Sequence, residues 1–223
     1  MKTGYKNIPG TDYRPLAHTD ERFIELALFS VKDWDEIKTA FGWQNFWNRW
    51  EDAHSMLYVL GNLSYPKGPQ SDDRKKLALI LCEIAEFSVK YNKIKIKGRS
   101  FNHLVMLKAW AENKETTLQK ALNAFIPIWT DHHHDHFTVI TLNIKGIFDD
   151  YKSKYPSAAI GYHATEVVDS IASRAAYDAK KKLNSEDADD WRIVEKVREA
   201  AKKEVLKQCA DIVRKYHPKA PKL

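Results

Sequence analysis

Between Ser157 and His217 the chain carries one glycine, Gly161, and no proline. Apolar residues recur through that stretch at spacings of three and four, along two long runs. Only coiled backbone brings such rows onto one face, so the fold class that follows is all-α. The earlier runs are shorter and read the same way. The expected architecture is an antiparallel multi-helix bundle or stack of about eight to nine helices joined by short turns.

Residues 1–18 hold Gly4, Pro9, Gly10 and Pro15 without periodicity and read as an irregular arm. Residues 19–217 read as a single helical domain, and residues 218–223, opened by Pro218, as a tail. A first helix is expected from Asp20 to Phe29, and a short second one from Asp33, with Glu36 at its third position, to Gly42. Trp43, Phe46, Trp47, Trp50, His54 and Leu57 then share one face of a single helix ending at Gly61. Ser71-Asp72-Asp73 opens a helix with Leu77, Leu81, Ile84 and Ser88 on its stripe, and it stops near Tyr91. Another runs from Ser100 to about Asn113, and Thr116 or Thr117 caps the next.

Phe137, Ile140, Ile144, Ile147 and Tyr151 lie in β-branched text that suits a strand by propensity. The stripe continues at helical spacing to Tyr151, which decides for helix, with Pro156 closing it. From Ser157 the inward face is Ala164, Val168, Ile171, Ala175 and Ala179. On the last helix Trp191, Val194, Ala201, Val205, Cys209, Ile212 and Tyr216 are expected to face inward.

A hydrophobic share of 43% over 223 residues is ample for a core, and a mean hydropathy of −0.54 matches a water-soluble chain. No apolar run reaches the ~20 residues that span a bilayer, so no membrane partner is expected. The first twenty residues lack a signal-peptide core, and the expected location is cytoplasmic. Cys82 and Cys209 make no disulfide framework; both sit on apolar stripes, as core thiols do.

The net charge of +6 is uneven: −1 over residues 1–70, +5 over 71–125 and +2 over the rest. The excess centres on Lys93, Lys95, Lys97 and Arg99, interleaved with Ile94 and Ile96. Two readings fit, a solvated loop or a site for an acidic partner, which can be protein or nucleic acid. Trp47 and Trp50 also have two readings. They form a bulky core seam, or, if exposed, an aromatic patch that docks a partner.

Asp131-His132-His133-His134-Asp135-His136 is the one cluster that invites metal chemistry. His132 and His136 stand four apart and can chelate one ion if helical, with Asp135 close by. His103, His134-Asp135 and Asp169 can also be written in the order used by all-helical metal phosphohydrolases of the HD type. A solvated, His-rich helix start explains the cluster equally. No glycine-flanked serine elbow and no phosphate-binding glycine loop occurs, and nothing in the text asks for a cofactor.

Asp73-Arg74-Lys75-Lys76-Leu77 leading to Leu81-Cys82, and Ala109-Trp110-Ala111-Glu112-Asn113 followed by Thr117-Leu118, form one group of related stretches. The alanine-rich Ser157–Leu183 helix and Gln208-Cys209-Ala210-Asp211-Ile212 complete it. Together they cover about half of the chain, and this text resembles alanine-rich helical immunity proteins of bacterial polymorphic toxin systems. The Trp-rich segment and residues 126–156 have no counterpart there, and alanine is sparser here. The resemblance implies an all-helical, non-enzymatic binding protein whose partner is a toxin or another protein, and it supplies no site residues. The leading expectation is therefore a protein-interaction module of immunity or inhibitor type. A metal-dependent HD-like hydrolase and a nucleic-acid binder using residues 93–99 are the alternatives.

Overall fold

The computed structural model describes residues 40–64, 67–68, 70–91, 102–114, 116–124, 136–149, 156–183 and 190–222. The expected arm and the helices placed at Asp20–Phe29 and Asp33–Gly42 lie almost wholly outside these residues. Among the described residues the fold is all-helical, with no strand. The elements are α1 (Ala40–Arg49), α2 (Ala53–Ser64), α3 (Asp72–Tyr91), α4 (Asn102–Ala111), α5 (Leu118–Asn123), α6 (His136–Asp149), α7 (Pro156–Lys180) and α8 (Trp191–Tyr216).

Helix α7 is the axis of the packing. Ala164, Ala172, Ala175 and Ala176 are buried on it beside Val167, Val168 and Ile171. Such small side chains leave room for backbones to approach, and α2, α6 and α8 all pack extensively along α7. Helix α6 delivers Ile140, Ile144, Ile147 and Phe148 as a buried stripe, so tertiary burial overrides its β-branched propensity. Helix α3 brings Leu77, Ile80, Leu81, Ile84 and Ala85 to the same core.

Local chemistry sets the helix ends. Gly68 takes a left-handed φ of 81°, and its carbonyl accepts from both the amide and the hydroxyl of Ser71. The Ser71 hydroxyl in turn accepts from the Arg74 amide at 3.3 Å, and Asp72 and Asp73 favour the positive end of the α3 dipole. Helix α4 closes through Asn113 at φ 58°, with the Lys114 amide reaching the Ala109 carbonyl and the Asn113 amide the Trp110 carbonyl, a Schellman closure. Thr117 caps α5 by accepting from the Lys120 amide, and Asp190 caps α8 by accepting from the Arg192 amide.

Three boundaries differ from the sequence reading. Gly42 ends no helix, because α1 runs through it from Ala40 to Arg49. The face expected to continue from Trp43 to Leu57 is split at residues 50–52, where Asp52 caps a fresh helix. Its carboxylate accepts from the amides of His54 and Ser55 and, at 2.6 Å, from the Ser55 hydroxyl. Pro156 opens α7 rather than closing α6, a first-turn position where its missing N–H costs nothing.

Arg74 is the unexpected core residue, only 1% exposed. Its guanidinium donates to the Ile147 carbonyl at 3.1 Å, in the last turn of α6, and stands 5.7 Å from the Phe148 ring. A cation placed at the negative end of a helix dipole and over an aromatic face retains part of what water supplied. Phe148 also takes Trp110 edge-on at 5.7 Å, so α3, α4 and α6 meet around this charge.

Candidate interaction surface

The structure separates the two sequence-predicted tryptophans from the surface. Trp47 is wholly buried and Trp50 nearly so. Trp47 meets Trp43 and Trp50 edge-on at 5.8 and 6.0 Å, and Phe46 lies 4.9 Å from Trp50. Their indole edges are used internally: Trp47 Nε1 donates to the His217 carbonyl and Trp43 Nε1 to the Pro221 carbonyl, each at 2.8 Å. Arg214 adds a bond to the Trp50 carbonyl. The exposure on which a docking role for Trp47 and Trp50 depended is absent, and the core-seam reading describes them.

Lys93, Lys95, Lys97 and Arg99 lie outside the described residues, as do His132, His134 and Asp135. His136 opens α6, and its side chain is likewise outside them. Of the other two positions in the HD-type order, His103 is buried on α4, beside a cavity of about 10 Å³ lined by Leu107, Ala121, Leu122, Ile144 and Lys145. That volume holds a water at most. Asp169 is on α7 and pairs with His54 of α2 at 3.3 Å. Among the described residues no group of three or more His, Cys, Asp or Glu stands close enough to hold a metal ion.

The hydrogen bond that His54 donates to Asp169 raises its imidazole above the usual value, against the opposing effect of burial, with Asp52 and Glu166 adding to the rise. A carboxylate that holds an imidazole in its charged form makes an ion pair across the α2–α7 seam rather than a poised base. His163 of α7 likewise joins two helices. Its Nδ1 lies 2.8 Å from Asn143 Oδ1, and its ring fills the space over Gly146.

The far end of the molecule has a different character. In the first half of α8 Val194 is buried and Ala201 packs against the core, while Trp191, Arg192, Ile193, Glu195 and Lys196 are exposed. Trp191, expected to be buried, is 72% exposed. The Asp190 cap fixes it as the first helical residue, where it has no preceding turn to pack on. Arg192 stands over its ring at 5.7 Å. At the other end of the 181–190 connection, Tyr177 of α7 is 49% exposed, with Lys181 at 4.6 Å and Arg174 at 5.6 Å from its ring. Arg174 is tied to Asp178 at 2.9 Å.

Trp191 and Tyr177 are two exposed aromatic side chains, each flanked by cations, a combination that suits apolar contact with a charged rim. Sequence reasoning missed it because Trp191 lies three residues before Val194, a spacing that reads as one stripe. The signal that separates them is the Asp190 cap. No protein-family model, curated protein or solved structure matches the chain. No helix of the described residues is long and apolar enough to cross a membrane.

Proposed function

We propose that the chain is a non-enzymatic protein-interaction module of inhibitor or immunity type, and that it meets its partner through the first turns of α8 and the last turns of α7. One observation carries this reading, the 72% exposure of Trp191 on an otherwise well-filled helical body. On the order of 150 Å² of indole remains to be covered, roughly 4 kcal/mol of gross apolar transfer. That is hot-spot magnitude, and tryptophan and arginine side by side are the residue types that dominate hot spots. The rigid support comes from α7, whose packing on three helices holds the surface in place before contact.

The test is comparative capture. Wild-type protein and the Trp191→Ala variant are used as baits in extract of the native cell. A partner retained at least ten-fold less by the variant supports the reading. Partners retained equally by both baits refute the assignment of this surface.

A further inference from the structure

Residues 217–222 follow α8 without continuing it and lie against α1. His217 is the hinge. Its amide closes α8 on the Val213 carbonyl at 2.9 Å, its φ of −125° and ψ of 68° leave the helical region, and its carbonyl accepts from Trp47 Nε1. Beyond it Gln44 Nε2 donates to the Pro218 carbonyl at 3.2 Å, the Ala220 amide donates to Gln44 Oε1 at 2.9 Å, and Trp43 Nε1 donates to the Pro221 carbonyl. Every one of these bonds uses a backbone atom of the segment. Ala220 packs against the core, while Pro218, Lys219 and Lys222 are exposed. A segment held by hydrogen bonds with little apolar burial belongs to the low end of local opening free energies, and it can leave α1 without unfolding the body.

The His217 ring is half-buried at this hinge, and its surroundings oppose a proton. Burial has the largest effect and Lys76 of α3 the next. Lys67 acts in the same direction, and Asp73 opposes them, but that carboxylate is already paired with Lys67. Together they lower the imidazole from 6.5 to about 4. The side chains that α1 gives to the segment, Trp43, Gln44 and Trp47, carry no charge. On α8 itself the C-terminal dipole favours a cation, but Arg214 and Lys215 already stand in that last turn, tied to Asp211 and Glu83. A protonated ring therefore has two ammonium groups and an engaged carboxylate around it in the closed position, and water in the open one.

We propose that residues 217–222 are a pH-sensitive strap hinged at His217, closed along α1 while the imidazole is neutral and released from α1 when the imidazole takes a proton. Release uncovers the indole N–H groups of Trp43 and Trp47. Opening returns the ring to its ordinary 6.5, so between pH 7.5 and pH 5 the open population rises roughly thirty-fold, in a window above the ordinary carboxylate range. The sign is that of a group lowered on docking: the strap is held fully above 6.5 and progressively lost toward 4. This device is separate from the α8 surface around Trp191 and does not depend on it.

The experiment is native-state hydrogen exchange of the full chain by NMR at pH 7.5 and pH 5, with each rate divided by the free-peptide or free-indole rate at the same pH. Protection of the Ala220 amide and of the Trp43 and Trp47 indoles should fall roughly thirty-fold on acidification, while the α7 amides stay better protected than Ala220 at both pH values. In His217→Gln, which keeps the backbone carbonyl and cannot take the proton, the fall should be less than about five-fold; a melting curve at pH 7.5 checks that the variant is folded. The wild-type fall needs no variant, so it tests the proposal alone. A wild-type fall of less than about five-fold overturns the proposal, as does a larger fall that persists in His217→Gln. Equal protection of Ala220 and the α7 amides also overturns it, because the strap would then open only with the whole molecule.

Discussion

Replacing Trp47 tests both the core around α1 and the bond that ties the following segment to it. The side chain is wholly buried, packed edge-on against Trp43 and Trp50, with its one polar atom bonded to the His217 carbonyl at 2.8 Å. Trp47→Ala removes all of this and leaves a cavity in a close-packed interior, which costs about 3–5 kcal/mol. Trp47→Phe keeps most of the ring and loses the donor. The missing hydrogen bond is worth about 0.5–1.5 kcal/mol, and the lost ring volume brings the total to roughly 1–3 kcal/mol. Urea unfolding followed by far-ultraviolet circular dichroism gives both values. Native-state hydrogen exchange adds a local readout, since the Ala220 amide should exchange faster in the Phe variant while the α7 amides change only with global stability. An alanine variant that costs less than about 1 kcal/mol would refute the placement of Trp47 in the core. Unchanged protection at Ala220 in the Phe variant would refute the claim that the indole holds the segment.

Four further expectations follow from the same geometry. Trp191→Ala should change unfolding free energy by no more than about 0.5 kcal/mol, because the ring is mostly in water; a larger loss in the same urea assay would place it in a core. Gly146→Ala puts a methyl 2.9 Å from His163 Nε2 and should cost about 1–3 kcal/mol by overpacking, also read by urea unfolding. Cys82 and Cys209 are buried thiols that burial pushes up to about 12, so a thiol reagent at pH 8 should label them only after unfolding. The pH dependence has three parts with different signs. Burial, with Lys76 and Lys67 nearby, lowers His217 from 6.5 to about 4, so its contribution is full above pH 6.5 and lost as pH falls toward 4. Burial raises the Glu83 carboxyl, but hydrogen bonds from Lys215 and Tyr216 outweigh it and leave it below the ordinary 4.5, so its contribution is lost on acidification below that value. His54 is raised by Asp169, so its contribution is present below pH 6.5 and fades as pH rises through the elevated value; for an exposed pair it stays under about 1 kcal/mol. Melting curves of His217→Gln, Glu83→Gln and His54→Gln across pH 4–9 check each limb.

The fold was legible where spacing and caps agree. Ile140, Ile144 and Ile147 recur at helical steps, and burial on α7 makes that pattern win over their β-branched preference. Ser71 and Thr117 announce helix starts because their hydroxyls answer unpaired first-turn amides. The break at residues 50–52 was not legible, since Trp43 to Leu57 keep steps of three and four straight through it. The signal lay in Asp52, whose carboxylate accepts from the His54 and Ser55 amides just beyond it. The candidate surfaces depend on what lies across from each residue, which spacing does not encode. Trp47 and Trp191 are the same residue type on amphipathic helices, yet one faces residues 217–221 and the other faces water. Pro218 and Pro221 tell where α8 must end but not that their carbonyls return to α1. Nothing in the sequence marks Arg74 as a core residue, because its acceptor is supplied by Ile147, far along the chain.

The most direct measurement is hydrogen exchange of the tryptophan indole N–H groups by NMR in the native state. Trp43 and Trp47, bonded to the carbonyls of residues 221 and 217, should be protected by orders of magnitude, and Trp191 should exchange as fast as free indole. Slow exchange at Trp191 would contradict the proposed contact surface, and unprotected signals at Trp43 and Trp47 would contradict the docking of residues 217–221 on α1.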